Sequence, residues 1–231
     1  MATVVRCGEN FGGSSMAVRK SGRELIVLAN LATTSRRYKQ LYEFLDASTL
    51  PVAQAVCGRA YARVSEPEDG SLAAFVRAVR AATLAPETEA VDLVLACHGL
   101  NAAIKFTEGK RPLSAIEVAF AGLPNRHKLR FAYDLCCFGA SHAPGLHRVG
   151  FDAVVGSRGV NANSAFELPT LLGSWANGQP LGVAVAAGNN PTNRAFSDAF
   201  ASLMFKQVDS FKELSGTEAA TLRISTAPEN H

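Results

Sequence analysis

Near-continuous apolar runs alternate along this chain with segments whose apolar positions recur every three or four residues. Residues 24–31 (Glu-Leu-Ile-Val-Leu-Ala-Asn-Leu), 91–96, 129–135 and 151–156 are apolar runs broken by single polar residues, the pattern of strands buried on both faces. Residues 52–64 alternate Val56, Tyr61 and Val64 around small residues and read as a further strand, second in chain order. Helices are predicted over 36–45, where Tyr38, Leu41, Tyr42 and Leu45 follow the capping Ser35, and behind Ser71, where Leu72, Phe75, Val76 and Val79 share a face. Residues 113–123, 166–175 and 195–208 are also expected to be helical, 103–111 a small hairpin, and 181–187 an apolar segment of either type. Loops are expected around His142, Pro144 and His147 and over 161–165, with a polar tail from Ser215. The Gly- and Ser-rich residues 1–22 form either a mobile arm or an edge hairpin over 3–6. The organisation is therefore an arm (1–22), one domain (23–212) and a tail (213–231). Strands alternating with helices imply an α/β fold, a three-layer α/β/α sandwich around a mainly parallel sheet. In such a sheet the C-terminal strand ends share one edge, where these folds place their chemistry.

Composition narrows the function. At 231 residues the chain can bury a core of its own. A net charge of +3 without a Lys/Arg block, beyond pairs such as Arg36-Arg37 and Lys110-Arg111, disfavours nucleic acid as a partner. Five cysteines in no secreted spacing point to a reducing, cytoplasmic setting. No leader and no run of bilayer-spanning length predict a soluble chain without a membrane partner. Gly12-Gly13-Ser14-Ser15 precedes the first strand instead of following one, so no nucleotide cofactor is expected. Cys97, His98, Cys136, Cys137, His142 and His147 supply sulfur and nitrogen but no Cys-x-x-Cys or His-x-x-x-His spacing, so no metal is expected.

Two strand ends carry the candidate chemistry. The run 129–135 leads into Cys136-Cys137 and turns at Gly139, and the run 91–96 leads into Cys97-His98-Gly99. If the two strands are neighbours, a thiol and an imidazole meet at one edge, as a cysteine–histidine catalytic pair requires.

These motifs resemble the caspase-like (clan CD) cysteine peptidases, whose signature is an apolar strand ending in His-Gly followed by one ending in an acid or amide, a small residue and Cys. Val91-Asp-Leu-Val-Leu-Ala-Cys-His-Gly99 matches the first part, and Phe131-Ala-Tyr-Asp-Leu-Cys-Cys-Phe-Gly139 the second. The nearest patterns in motif are the metacaspase, clostripain-like and CHAT ones. The resemblance spans roughly residues 23–210. It implies a cysteine endopeptidase that hydrolyses peptide bonds of a protein or peptide substrate through an acyl-thioester, and leaves room for an activating partner protein. Within it His98 is the general acid/base. The metacaspase pattern Asp-x-Cys-x-x-Gly makes Cys136 the nucleophile. The caspase pattern, with glycine two residues on, selects Cys137 instead, and strand alternation lets only one of them face the site. The N–H groups of Gly99 and Cys136 correspond to the oxyanion hole. Asp134 corresponds either to the carboxylate that receives an Arg or Lys P1 side chain or to a strand-end acid bound to backbone N–H groups. Ser157, Asn161, Asn163 and Ser164 are candidate cleft residues. Three departures stand out: a short interval between His98 and the cysteines, a bulky Leu135, and only about ten residues between Gly139 and the next strand. The last implies a single chain not activated by cleavage there. A non-catalytic binding module on the same fold is the alternative.

Overall fold

The computed structural model describes residues 18–33 and 35–224. In chain order its elements are β1 (Arg23–Asn30), α1 (Lys39–Cys57), β2 (Arg63–Ser65), α2 (Leu72–Leu84), β3 (Ala90–Leu100), β4 (Ala103–Phe106), β5 (Gly109–Pro112), α3 (Leu113–Ala119), β6 (Leu129–Asp134), α4 (Ala143–Val149), β7 (Ala153–Ser157), α5 (Ser164–Ala176), α6 (Leu181–Gly188), α7 (Pro191–Ser202) and β8 (Lys212–Ser215). The main sheet runs β2-β1-β3-β6-β7-β8. Its first five strands are parallel, β8 pairs antiparallel with β7, and the β4–β5 hairpin continues from the end of β3.

Alternation along each strand builds two apolar layers. Leu25, Val27, Val94, Phe131, Tyr133 and Val155 pack against Ala53 and Cys57 of α1, Leu168, Leu171, Leu172 and Trp175 of α5, and Leu181 and Val185 of α6. Ile26, Leu28, Leu93, Leu95, Ala132 and Val154 pack against Phe75 and Val79 of α2, Ile116 of α3, and Leu146 and Val149 of α4. Each Val, Leu, Ile or Phe among them contributes about 1.5–3 kcal/mol when fully buried. The strand ends are thereby held rigidly between two helical layers.

The sandwich is the predicted one, with several elements displaced. α1 does not stop near Leu45 but continues through Pro51 to Cys57, so the strand expected over 52–64 shrinks to Arg63–Ser65. Thr49, Ala53 and Cys57 lie buried on its sheet-facing side at a spacing of four, and that packing outweighs the backbone bond a mid-helix proline removes. The loop expected around Pro144 contains α4, with Pro144 in its first turn. The apolar 181–187 segment is helical, and α3 ends at Ala119. β8 was not foreseen, and it crosses the boundary drawn at residue 212: Leu214 pairs with Val155, and Ile224 is buried in the core. The hairpin expected over 3–6 lies outside the described residues.

At the end of the sheet away from the cysteines, Arg130 forms two bonds with Asp92 (Nε to Oδ1, 3.0 Å, and Nη2 to Oδ2). Tyr61 donates to the same carboxylate at 2.5 Å, and Trp175 Nε1–H donates to the Tyr61 hydroxyl at 2.7 Å. Among the described residues no helix is long and apolar enough to cross a membrane.

Candidate active site

β3 and β6 are parallel neighbours with Leu95 opposite Asp134. Leu135 continues the pairing by donating its N–H to Leu95 O at 2.8 Å. Carried onward, this register sets Cys97 beside Cys136 and His98 beside Cys137. Alternation then sorts the strand side chains. Cys97 and Cys136 belong to the layer of α2, α3 and α4, and His98 follows the parity of Val94 and Ala96 in the opposite layer. β6 ends at Asp134 and Cys137 lies in the turn beyond it, where it neighbours Tyr42, the ring that stands edge-on to His98.

Burial separates the adjacent thiols in the same way. Cys136 is 0 % exposed, with its Sγ 3.8 Å from Leu95 O. Burial first, then the neighbouring Cys97 thiol and the Asp134 charge, push its thiol well up from the ordinary value. A thiol in that setting is poorly placed to react. Cys137 is partly exposed. Burial raises its thiol too, against opposing pulls from the Asn161 N–H and the Lys212 charge.

Glycines allow the close approach. A Cβ on Gly99 would lie 2.1 Å from Cys137 O and 2.7 Å from Cys136 Cβ, so only glycine lets β3 rest on the Cys136-Cys137 peptide. Phe138 turns the chain in a left-handed conformation (φ 59°). Beyond it Gly139 packs on Gly156 of β7, where a Cβ on Gly156 would come within 2.2 Å of the Gly139 carbonyl carbon.

His98 is half-buried at the mouth of this turn. Its Nε2 lies 3.1 Å from Leu31 O. A carbonyl only accepts, so Nε2 carries the proton and Nδ1 of the neutral ring presents its lone pair. The Tyr42 ring of α1 stands edge-on to the imidazole at 4.6 Å. Burial, then the Lys105 charge, lower the His98 pKa against the Leu31 and Ala32 carbonyls and Asp46. With the thiol raised and the imidazole lowered, both groups rest neutral near pH 7.

Other candidate residues are placed differently from expectation. Asp134 is fully buried: Oδ1 accepts the Cys136 N–H at 2.8 Å, and Oδ2 lies 2.7 Å from His142 Nδ1. It is thus the strand-end acid bound to backbone, with no oxygen turned to a P1 side chain. That same bond occupies the Cys136 N–H assigned to the oxyanion hole. Ser157 is buried, its hydroxyl 3.0 Å from Cys136 O and 3.1 Å from Gly159 O, and so supports the turn from beneath instead of lining a cleft. Asn163 is buried and accepts from Ser197 Oγ at 3.2 Å. Asn161 donates to Leu135 O at 3.0 Å and Glu167 Oε1 at 3.1 Å. Ser164 opens α5 and is partly exposed.

Three further residues shape the site without a sequence motif to mark them. Lys212 and Glu167 form a fully buried ion pair (2.8 Å) whose cation eases ionisation of Cys137. Lys212 sits in the unforeseen β8, and Glu167 in a helix read only for its apolar residues. His142 stands in a segment that reads as a loop and carries no motif of its own. Its Nε2 lies 2.8 Å from Leu100 O, and burial lowers its pKa less than Asp134 and the Leu100 and Ala103 carbonyls raise it, for a net rise. Asp134, Cys136 and His142 bring ligand atoms within 4.8 Å of one another. Both carboxylate oxygens and both ring nitrogens are taken by hydrogen bonds, so the trio serves as a hydrogen-bonded cluster and not as an open cation site.

No family model and no curated protein matches this sequence. Among solved structures, the chain is similar to the crystal structure of caspase-1 from Spodoptera frugiperda. The TM-score is 0.54 at 11 % identity, over 93 % of this chain and 96 % of that one. The fold is the caspase-like α/β sandwich.

Proposed function

We propose that this chain is a caspase-like cysteine endopeptidase with Cys137 as nucleophile and His98 as general acid/base. One observation carries the reading: where the parallel strands paired Leu95 to Asp134 end side by side, the His98 imidazole and the partly exposed Cys137 both neighbour the Tyr42 ring. As the Cys137 sulfur attacks the scissile carbonyl carbon, its proton passes to His98 Nδ1, which the Leu31 carbonyl leaves unprotonated by holding the proton on Nε2. The His98 imidazolium then protonates the leaving amine as the C–N bond breaks. Water, deprotonated by the same ring, hydrolyses the thioester. Because both groups start neutral, proton transfer accompanies attack instead of preceding it. The oxyanion is assigned to the N–H groups of Gly99 and Cys137, the Cys136 N–H being bound to Asp134. The substrate class is protein or peptide. The preference for Arg or Lys at P1 loses its carboxylate with Asp134 turned inward, and is not part of the proposal.

The test is covalent labelling by peptidyl acyloxymethyl ketones with P1 varied over basic, acidic and neutral residues. Label is expected on wild type and Cys136→Ala, and none on Cys137→Ala or His98→Ala. Label that survives in Cys137→Ala but is lost in Cys136→Ala returns the nucleophile to Cys136. An unlabelled wild type across the whole P1 set favours the non-catalytic module.

A further inference from the structure

The short segment between the Cys137 turn and α4 carries a buried histidine that the dyad does not use. It lies in a 3-10 turn (Gly139–His142) that follows the left-handed Phe138. Its ring reaches back across the edge of the sheet, where Nδ1 meets Asp134 Oδ2 at 2.7 Å and Nε2 meets Leu100 O at 2.8 Å. Both side chains of the His142–Asp134 pair are 0 % exposed.

We propose that His142 is a positioning residue for catalysis: as a doubly protonated imidazolium between the Asp134 carboxylate and the Leu100 carbonyl, it pins the turn carrying Cys137 to the strand carrying His98. This rests on the reading of Cys137 and His98 as the catalytic pair.

The protonation state follows from the acceptors. A backbone carbonyl only accepts, so Nε2 bears a proton, and the Asp134 carboxylate is satisfied at Nδ1 only by a second one. Beside an ionised Asp134, a neutral ring meets one of the two. The other carboxylate oxygen takes the Cys136 N–H at 2.8 Å. The chain of contacts therefore runs from Leu100, two residues after His98, through His142 and Asp134 to Cys136, one residue before Cys137. Ser141 makes a second tie in the same place: its hydroxyl accepts the Ala102 N–H at 2.9 Å and donates to Phe138 O at 2.7 Å. Two consecutive side chains thus fasten the nucleophile turn to the corner between β3 and β4.

The titratable and charged groups around the ring bear on its pH response. From β6 and its extension these are the Asp134 carboxylate and the Cys136 thiol, and from the β3–β4 corner the Leu100 and Ala103 carbonyl dipoles. The turn also packs on β7 and β8. On β8 the charged side chains are engaged elsewhere, Lys212 with Glu167 and Glu213 with Arg158. The Asp134 charge is thus the partner that holds the proton on the ring. When it is lost, either the Asp134 or the Leu100 contact breaks in a buried site, and the turn is freed from β3.

The experiment compares wild type with His142→Gln and Asp134→Asn. It reads the rate of covalent labelling at Cys137 against pH, split into a binding constant and a maximal rate, with folding checked by circular dichroism. The expected result is a maximal rate about ten- to a hundredfold lower in both variants with the binding constant little changed. The wild-type rate should also show an alkaline fall that is missing in His142→Gln. A wild-type maximal rate with the same alkaline limb in His142→Gln overturns the proposal. If a variant fails to fold, ring ¹⁵N shifts of wild-type His142 decide: an imidazolium at pH 7 supports the brace, and a neutral ring overturns it. If wild type takes no label, the peptidase reading fails, and the same shifts still decide whether the brace exists.

Discussion

Cys136 and Cys137 share a peptide bond and almost nothing else. One sulfur rests on Leu95 O inside the α2–α4 layer, and the other belongs to a partly exposed residue in the turn that follows β6. Iodoacetamide on the folded protein should therefore modify Cys137 first among the described cysteines. Cys97 and Cys136 should stay protected until unfolding, as should Cys57, whose thiol burial pushes up to about 12. Peptide mass spectrometry along the time course is the check, and Cys136 reacting as fast as Cys137 contradicts the assignment. At this scale the sequence could say that one thiol of the pair faces the site, because alternation is local. It could not say which, because that depends on the register between strands 38 residues apart in the chain, visible only once Leu95 is seen opposite Asp134. Asp134 was hidden for the same reason: its partner His142 lies beyond the end of β6 and the left-handed Phe138, so no periodicity within one element joins them. Gly99 offers a second residue-level test. Its replacement by Ala drives a Cβ to 2.1 Å from a backbone carbonyl that cannot move aside. Labelling at Cys137 should be lost, with stability down by about 1–3 kcal/mol in urea unfolding.

Among the elements, β1, β3, β6 and β7 were legible because doubly buried strands announce themselves as apolar runs, and α2 because Ser71 caps an amphipathic repeat by accepting the Ala74 N–H. What failed were elements whose reason for existing is tertiary. β8 is polar and short (Lys-Glu-Leu-Ser) and becomes a strand only because β7 offers it an edge. α1 crosses Pro51 only because the sheet receives its buried side. That helix also matters to the site. Tyr42 stands against His98, Tyr38 against Tyr42 at 6.5 Å, and Phe205 against Tyr38 at 5.1 Å, a row of rings from the imidazole to the segment after α7. Burial is the largest cause of the lowered His98 pKa. Removing the ring in Tyr42→Ala should therefore let the His98 pKa rise toward its ordinary value, as followed by NMR titration. An unchanged or lower value would mean that Tyr42 does not shield the imidazole.

On the scale of the whole molecule, the ends of the sheet bear different burdens. The Asp92–Arg130 pair with Tyr61 and Trp175 closes the end remote from Cys136 and Cys137. Arg130→Met leaves a buried carboxylate short of its cation, which should cost about 3–5 kcal/mol while leaving the labelling rate of the folded fraction intact. At the end that carries the cysteines, two histidines make global stability depend on pH in opposite senses. His98 has a lowered folded pKa, so below its unfolded value of 6.5 the unfolded chain binds more protons and stability falls with falling pH. His142 has a raised folded pKa, so its contribution is complete below 6.5 and is lost as pH rises through the folded value. The two limbs meet near neutrality. Urea unfolding from pH 5 to 8, below the range in which the unfolded thiols ionise, should show stability declining on both sides, with the alkaline decline removed in His142→Gln and the acid decline reduced in His98→Gln. The carboxylates add their own acid limb, so the decisive comparison is the alkaline one. If His142→Gln loses stability equally at every pH, the ring holds the turn by shape alone, and its charge plays no part in keeping the two halves of the site together.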